Sequence, residues 1–114
     1  EGAGVNTRAE RAAAAACRRQ RALVALTAAG VVVEDPTTTT VGPDVVVEPD
    51  AVLRPFTLLE GKTRVAAGAR IGPWARLTSC EVGAGAQVLD HCVLCDCRVE
   101  AAATVGPFAH RHGT

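Results

Sequence analysis

The sequence predicts a mainly-β chain, a parallel β-helix preceded by one long α-helix, and three observations carry that reading. Aliphatic residues recur every six positions at Val41, Val47, Leu53, Leu59, Val65, Ile71 and Leu77, then, after one-residue slips, at Val82, Val88, Leu94, Val99 and Val105. Four residues after most of them stands a small or compact residue: Val45, Ala51, Thr57, Thr63, Ala69, Ala75, Ala86, Ala103 or Ala109. An Ala- and Arg-rich stretch without this beat precedes them. A six-residue period is neither the 3.6 of a helix nor the 2 of a plain strand; it is the hexapeptide repeat of a β-solenoid, in which the aliphatic side chain enters a narrow prism and the small one fits at the corner.

The elements follow in order. Residues 1–6 read as the end of something else. From Thr7 to Ala29 the strong helix formers Ala and Arg dominate. Thr7 and Glu10 have the spacing of a capping box, and Gly30 is a stop that tolerates the left-handed conformation. A helix of about 22 residues is about 33 Å long. Leu23, Val24 and Leu26 give it a small apolar patch near its C-terminal end, and Ala12 to Ala16 are too weakly apolar for a deep core, so the helix reads as a connector. Pro36 and Thr37 to Thr40 lead into the repeats. Glycines such as Gly72 and Gly106 supply corner conformations that side chains resist, and Pro43, Pro49, Pro55, Pro73 and Pro107 fix corners where no ladder N–H is needed. Three hexads make a coil, so residues 41–109 are expected to hold roughly four. Phe56 and Trp74 fall at turns and are expected to pack outside the prism, on the helix or a neighbouring subunit. Arg18, Arg19 and Arg21 read as a solvated helix face.

Composition narrows the functions. The 114 residues carry a formal net charge of zero, which argues against nucleic acid or anionic lipid as a partner. No apolar run approaches the roughly 20 residues of a membrane span, and the N-terminus lacks a secretory layout. Five cysteines and no methionine are present. The odd cysteine count without a signal peptide favours free thiols in a reducing, cytoplasmic setting. The missing methionine and the abrupt ends suggest an internal fragment of a longer protein.

One cluster invites a metal reading: His91-Cys92-Val93-Leu94-Cys95-Asp96-Cys97. Zinc sites use Cys and His at short spacing, but strand alternation separates these side chains, and Cys92 falls on the small inward beat, where a free thiol behaves as a small hydrophobe. The expectation is that this cluster is structural. His91, His110 and His112 also raise a γ-class carbonic anhydrase, whose histidines must face one intersubunit cleft; that leaves the N-terminal helix unexplained.

The run Gly4-Val5-Asn6-x-Arg8, the following helix, and Ala29-Gly30-Val31, Asp35-Pro36, Leu59-Glu60-Gly61-Lys62-Thr63, Ile71-Gly72-Pro73 and Thr104-Val105-Gly106-Pro107-Phe108-Ala109 stand in an order that resembles the bacterial bifunctional N-acetylglucosamine-1-phosphate uridyltransferase / glucosamine-1-phosphate acetyltransferase family. The resemblance covers essentially the whole chain. It implies a left-handed β-helix, against the usual right-handed crossover, and three parts: residues 1–8 as the end of a nucleotidyltransferase domain, 9–29 as a helical linker, and 30–114 as the first coils of the acetyltransferase β-helix. It implies a parent that acetylates glucosamine-1-phosphate with acetyl-CoA and then transfers uridylyl from UTP, with Mg²⁺, to give UDP-N-acetylglucosamine for the cell envelope, and that assembles as a homotrimer.

By the same resemblance Asn6 would contact both Mg²⁺ and the sugar nucleotide, its amide oxygen being the hard ligand that Mg²⁺ prefers. Arg111 would bind the sugar phosphate through its planar guanidinium. The family pattern Pro-Phe-Ala-x-Leu-Arg-Pro-Gly is one residue longer than Pro107-Phe108-Ala109-His110-Arg111-His112-Gly113, which lacks the second proline. No catalytic residue is expected within this chain, and the isolated chain is expected to be inactive. A non-catalytic trimerisation scaffold and a hexapeptide-repeat acyltransferase with another acceptor are the alternatives.

Overall fold

The computed structural model describes residues 7–113, so Asn6 lies outside the described residues. Helix α1 spans Arg8–Ala28. Its capping box is formed: the Glu10 N–H donates to Thr7 Oγ1 at 3.0 Å and the Thr7 N–H donates to Glu10 Oε1 at 2.8 Å. At the other end Ala29 is the last helix-like residue and Gly30 turns to φ +101°. The Val31 N–H reaches back to the Leu26 carbonyl and the Gly30 N–H to that of Thr27, the paired bonds of a Schellman motif. The first half of α1 is exposed. Leu23 is its buried residue and Leu26 packs alongside, so the C-terminal turns sit over the start of the solenoid.

Four complete coils follow. The first is β1 (Val32–Val33), β2 (Thr40–Val41) and β3 (Val46–Val47); the second β4 (Val52–Leu53), β5 (Leu58–Glu60) and β6 (Arg64–Val65). The third is β7 (Arg70–Ile71), β8 (Arg76–Thr78) and β9 (Glu81–Val82); the fourth β10 (Gln87–Val88), β11 (Val93–Cys95) and β12 (Arg98–Val99). Strands β13 (Thr104–Val105) and β14 (His110–His112) begin a fifth. All pairing is parallel and joins equivalent strands of successive coils into three sheets.

The expected beat, slips included, therefore faces inward, with one correction. The solenoid starts before Val41, at β1, whose Val33 pairs with Leu53 twenty residues on. Later coils repeat every 18 and then every 17 residues, as Leu53↔Ile71 and Ile71↔Val88 show. The first coil is longer because Asp35 organises a turn there: the Thr37 N–H and hydroxyl both donate to Asp35 Oδ1, and the Thr39 hydroxyl donates to the Asp35 carbonyl. The Thr37 hydroxyl, then that of Thr38, holds the Asp35 carboxyl below its ordinary range. The one-residue slips arise at the corners after β8 and β11, where the small position follows the large one by three residues: Leu77 to Cys80 and Leu94 to Cys97.

The interior is three aliphatic columns and three small ones. Thr57, Thr63, Cys80, Cys92 and Cys97 stand among the alanines of the small columns and are buried. Each polar atom finds a carbonyl, as when Thr63 Oγ1 donates to Glu60 O at 2.8 Å and accepts from the Cys80 N–H at 3.2 Å. Among the described residues no buried side-chain nitrogen or oxygen lacks a partner, which matters because an unpaired one costs roughly 1–3 kcal/mol.

Candidate functional site

Two outer surfaces and the last strand carry the chemistry-bearing side chains. Along the corner before the second sheet, Phe56, Trp74, His91 and Phe108 occupy the same place in successive coils, each at φ near +60°. Their rings form one stack: centroids are 4.0 Å apart for Phe56–Trp74, 6.0 Å for Trp74–His91 and 5.1 Å for His91–Phe108, with planes within 4°. The sequence reading placed Phe56 and Trp74 outside the prism, and there they lie. Within the chain, however, they pack on each other and not on α1. His91, counted in the metal-like cluster, belongs to this column instead. Beside the stack runs a trough of about 340 Å³ lined by Leu58, Arg76 and Val93, and Phe56, Trp74, Val93 and Phe108 are all exposed.

The third sheet presents a groove of about 460 Å³ whose outward rungs are Val46, Arg64, Glu81 and Arg98. Arg98 and Glu81 form an exposed ion pair at 3.1 Å. Alternation of sign makes this surface self-compensating, so it holds no concentrated positive field for a phosphate. On the second sheet Glu60 accepts from Arg76 Nε and from the Thr78 hydroxyl, both at 2.9 Å. The Thr78 bond, then that of Arg76, keeps the Glu60 carboxyl below its ordinary range.

Arg111 sits in the middle of β14, in register with Leu94 of β11. Through Leu77 and Leu59 that register leads back to Val41. Arg111 thus extends an inward aliphatic column, and its side chain is exposed because β14 has a paired strand on one side only. His110 and His112 take the flanking outward positions. The six-residue beat held this information, since six residues beyond Val105 is Arg111.

The divalent ion implied for the uridyltransferase reaction is not accommodated by the described residues. Their one group of three close ligand side chains is Cys95, Asp96 and His112. Sulfur and imidazole donors do not suit Mg²⁺, which takes oxygen.

No family model matches the chain. Curated proteins do. Over 115 aligned positions it is 45% identical to the bifunctional protein GlmU from each of two strains of Desulfitobacterium hafniense, an alignment that covers all of this chain and 25% of each relative. It is 40% identical over 72 positions to the bifunctional protein GlmU of Brevibacillus brevis, covering 63% of this chain and 15% of that relative. The chain thus spans about a quarter of the length of the first two relatives. The bifunctional GlmU proteins are the family that the hexads, the leading helix and the Gly-Pro-Phe-Ala run resemble, and this chain is similar to one stretch of them from end to end.

Proposed function

We propose that this chain is the linker helix and the first coils of the acetyltransferase β-helix of a bifunctional enzyme. In this reading the parent acetylates glucosamine-1-phosphate with acetyl-CoA and couples the product to UTP, giving UDP-N-acetylglucosamine in the cytoplasm. Residues 1–8 would close the nucleotidyltransferase domain, 9–29 join the two bodies and 30–114 open a left-handed solenoid. The observation that carries the proposal is the end-to-end alignment at 45% identity with bifunctional GlmU proteins, together with an exposed helix that passes directly into parallel hexapeptide coils.

Within that parent Asn6 would supply an oxygen ligand to Mg²⁺ and a contact to the sugar nucleotide, and Arg111 a guanidinium for the sugar phosphate. The exposed aromatic column and its apolar trough would be covered in a homotrimer of parallel prisms. No helix among the described residues is long and apolar enough to cross a membrane.

The isolated chain should turn over neither substrate pair, because the described residues offer neither a Mg²⁺-fitting ligand set nor a concentrated basic pocket. The test is direct: purified chain with acetyl-CoA and glucosamine-1-phosphate, and separately with UTP, N-acetylglucosamine-1-phosphate and Mg²⁺. Turnover at about 1–10³ per second, the ordinary enzymatic range, would overturn the fragment reading. The parent gene should encode a nucleotidyltransferase upstream and further hexads downstream; a parent lacking both would favour the scaffold.

A further inference from the structure

The stretch His91 to Cys97 concentrates a histidine, three thiols and a carboxylate, and the solenoid takes it apart. His91 joins the aromatic column. Cys92 and Cys97 turn inward, buried, and their thiols donate to the carbonyls of Val105 and Gly113. Cys95 and Asp96 stay outside, and the following coil lays His112 against Cys95 in parallel register. Cys95 Sγ is 3.6 Å from Asp96 Oδ2, and His112 Nε2 is 3.9 Å from the same oxygen. All three ligand atoms lie within 4.8 Å of one another.

We propose that Cys95, Asp96 and His112 form a binding site for zinc or a chemically similar divalent transition metal, which clips the fourth coil to the fifth. The spacing is the first reason. Tetrahedral bonds of about 2.3 Å to sulfur and about 2.0 Å to nitrogen and oxygen hold the ligand atoms about 3.3–3.5 Å apart. The Cys95–Asp96 edge, 3.6 Å, is already close to that, and the Asp96–His112 edge, 3.9 Å, closes by rotation of two exposed side chains. The donor set is the second reason: thiolate, imidazole and carboxylate together match zinc and discriminate against Mg²⁺ and Ca²⁺. A water would complete the four.

The third reason is local order. The Gly113 N–H donates to the Cys95 carbonyl at 2.8 Å, and the Cys97 thiol donates to the Gly113 carbonyl at 3.3 Å, so the backbone that follows His112 is tied down. The Asp96 and His112 side chains are 60% and 76% exposed, so an ion reaches them from outside without opening a coil. Partial burial and the neighbouring carboxylate push the Cys95 thiol above its ordinary range. When the metal–sulfur bond forms, the S–H proton passes to solvent and the cation offsets the paired negative charges. The site does not depend on the enzymatic reading above.

Co²⁺ is the probe, titrated into the reduced, metal-free chain. The expected result is one ion per chain with visible d–d absorption and a thiolate-to-cobalt band in the near ultraviolet, bleached by Zn²⁺. Cys95→Ser should abolish the near-ultraviolet band, and Asp96→Asn and His112→Gln should weaken binding about tenfold or more. Cys17→Ser, which removes an exposed thiol on α1, should change nothing. Zn²⁺ should raise the thermal midpoint of the unsubstituted chain and not that of Cys95→Ser, with circular dichroism confirming that each variant is folded. Absence of the near-ultraviolet band, or its survival in folded Cys95→Ser, overturns the proposal.

Discussion

The indole of Trp74 lies flat on the ring of Phe56, centroids 4.0 Å apart and planes within 1°. The two residues are one coil apart and both hold the left-handed backbone conformation. That conformation costs a non-glycine residue roughly 1–2 kcal/mol, and the stack offsets part of it.

A double-mutant cycle should expose this coupling. Phe56→Ala and Trp74→Ala are each expected to lower stability in urea denaturation, and the double variant to fall short of their sum by about 0.5–1.5 kcal/mol. Strict additivity would mean that the rings merely lie near each other.

Gly72 and Gly85 both have positive φ, +97° and +68°, but their surroundings differ. A methyl group at Gly72 would run into the Thr57 hydroxyl of the coil below, whereas nothing lies within 4 Å of one at Gly85. Gly85→Ala should therefore cost about 1–2 kcal/mol, the conformational term alone, and Gly72→Ala clearly more. Equal denaturation midpoints for the two variants would contradict the packing described.

Arg111 continues a column of aliphatic residues, so Arg111→Leu should stabilise the fifth coil. About 1 kcal/mol is expected, below the roughly 1.5–3 kcal/mol of full burial, because β14 has a paired strand on one side only. Amide hydrogen exchange across residues 110–113 should slow. Faster exchange there would place Arg111 outside the column.

The Glu60 carboxyl is held below its ordinary value of 4.5 by the Thr78 hydroxyl and then by Arg76. Since the folded-state value is the lower one, the stabilisation is present above the unfolded value and disappears as pH falls through the folded value. Glu60→Gln should flatten the acid limb of the stability profile below about pH 4.5 and leave its neutral-to-alkaline shape unchanged, which equilibrium unfolding at several pH values would reveal.

The inward columns were legible because Leu53, Leu59, Ile71 and Leu77 are large, apolar and evenly spaced, and burial is the strongest constraint on a solenoid. Strand β1 escaped because the Asp35 turn lengthens the first coil to twenty residues and hides Val33 from a six-residue count. The aromatic column escaped for a related reason. Phe56, Trp74, His91 and Phe108 are separated by a whole coil, 18 or 17 residues, and a histidine among aromatics does not announce itself as a stacking partner. Cys95 and His112 are likewise a coil apart. Alternation within one strand correctly dispersed the His91–Cys97 cluster, and could not show which residue the next coil would supply.

The seat of Leu23 and Leu26 over the first coil has a consequence for how the chain is born. The helix leaves the ribosome before any rung, so the lowest course is capped before the wall rises. Each later strand then finds its partner already made, 17 to 20 residues upstream, a short loop to close. At about 5–20 residues per second a coil emerges in about one to four seconds, far longer than the microseconds in which short local elements form. Construction is thus vectorial: each course is laid on a finished one, and at any moment the newest edge alone waits for the coil still to come.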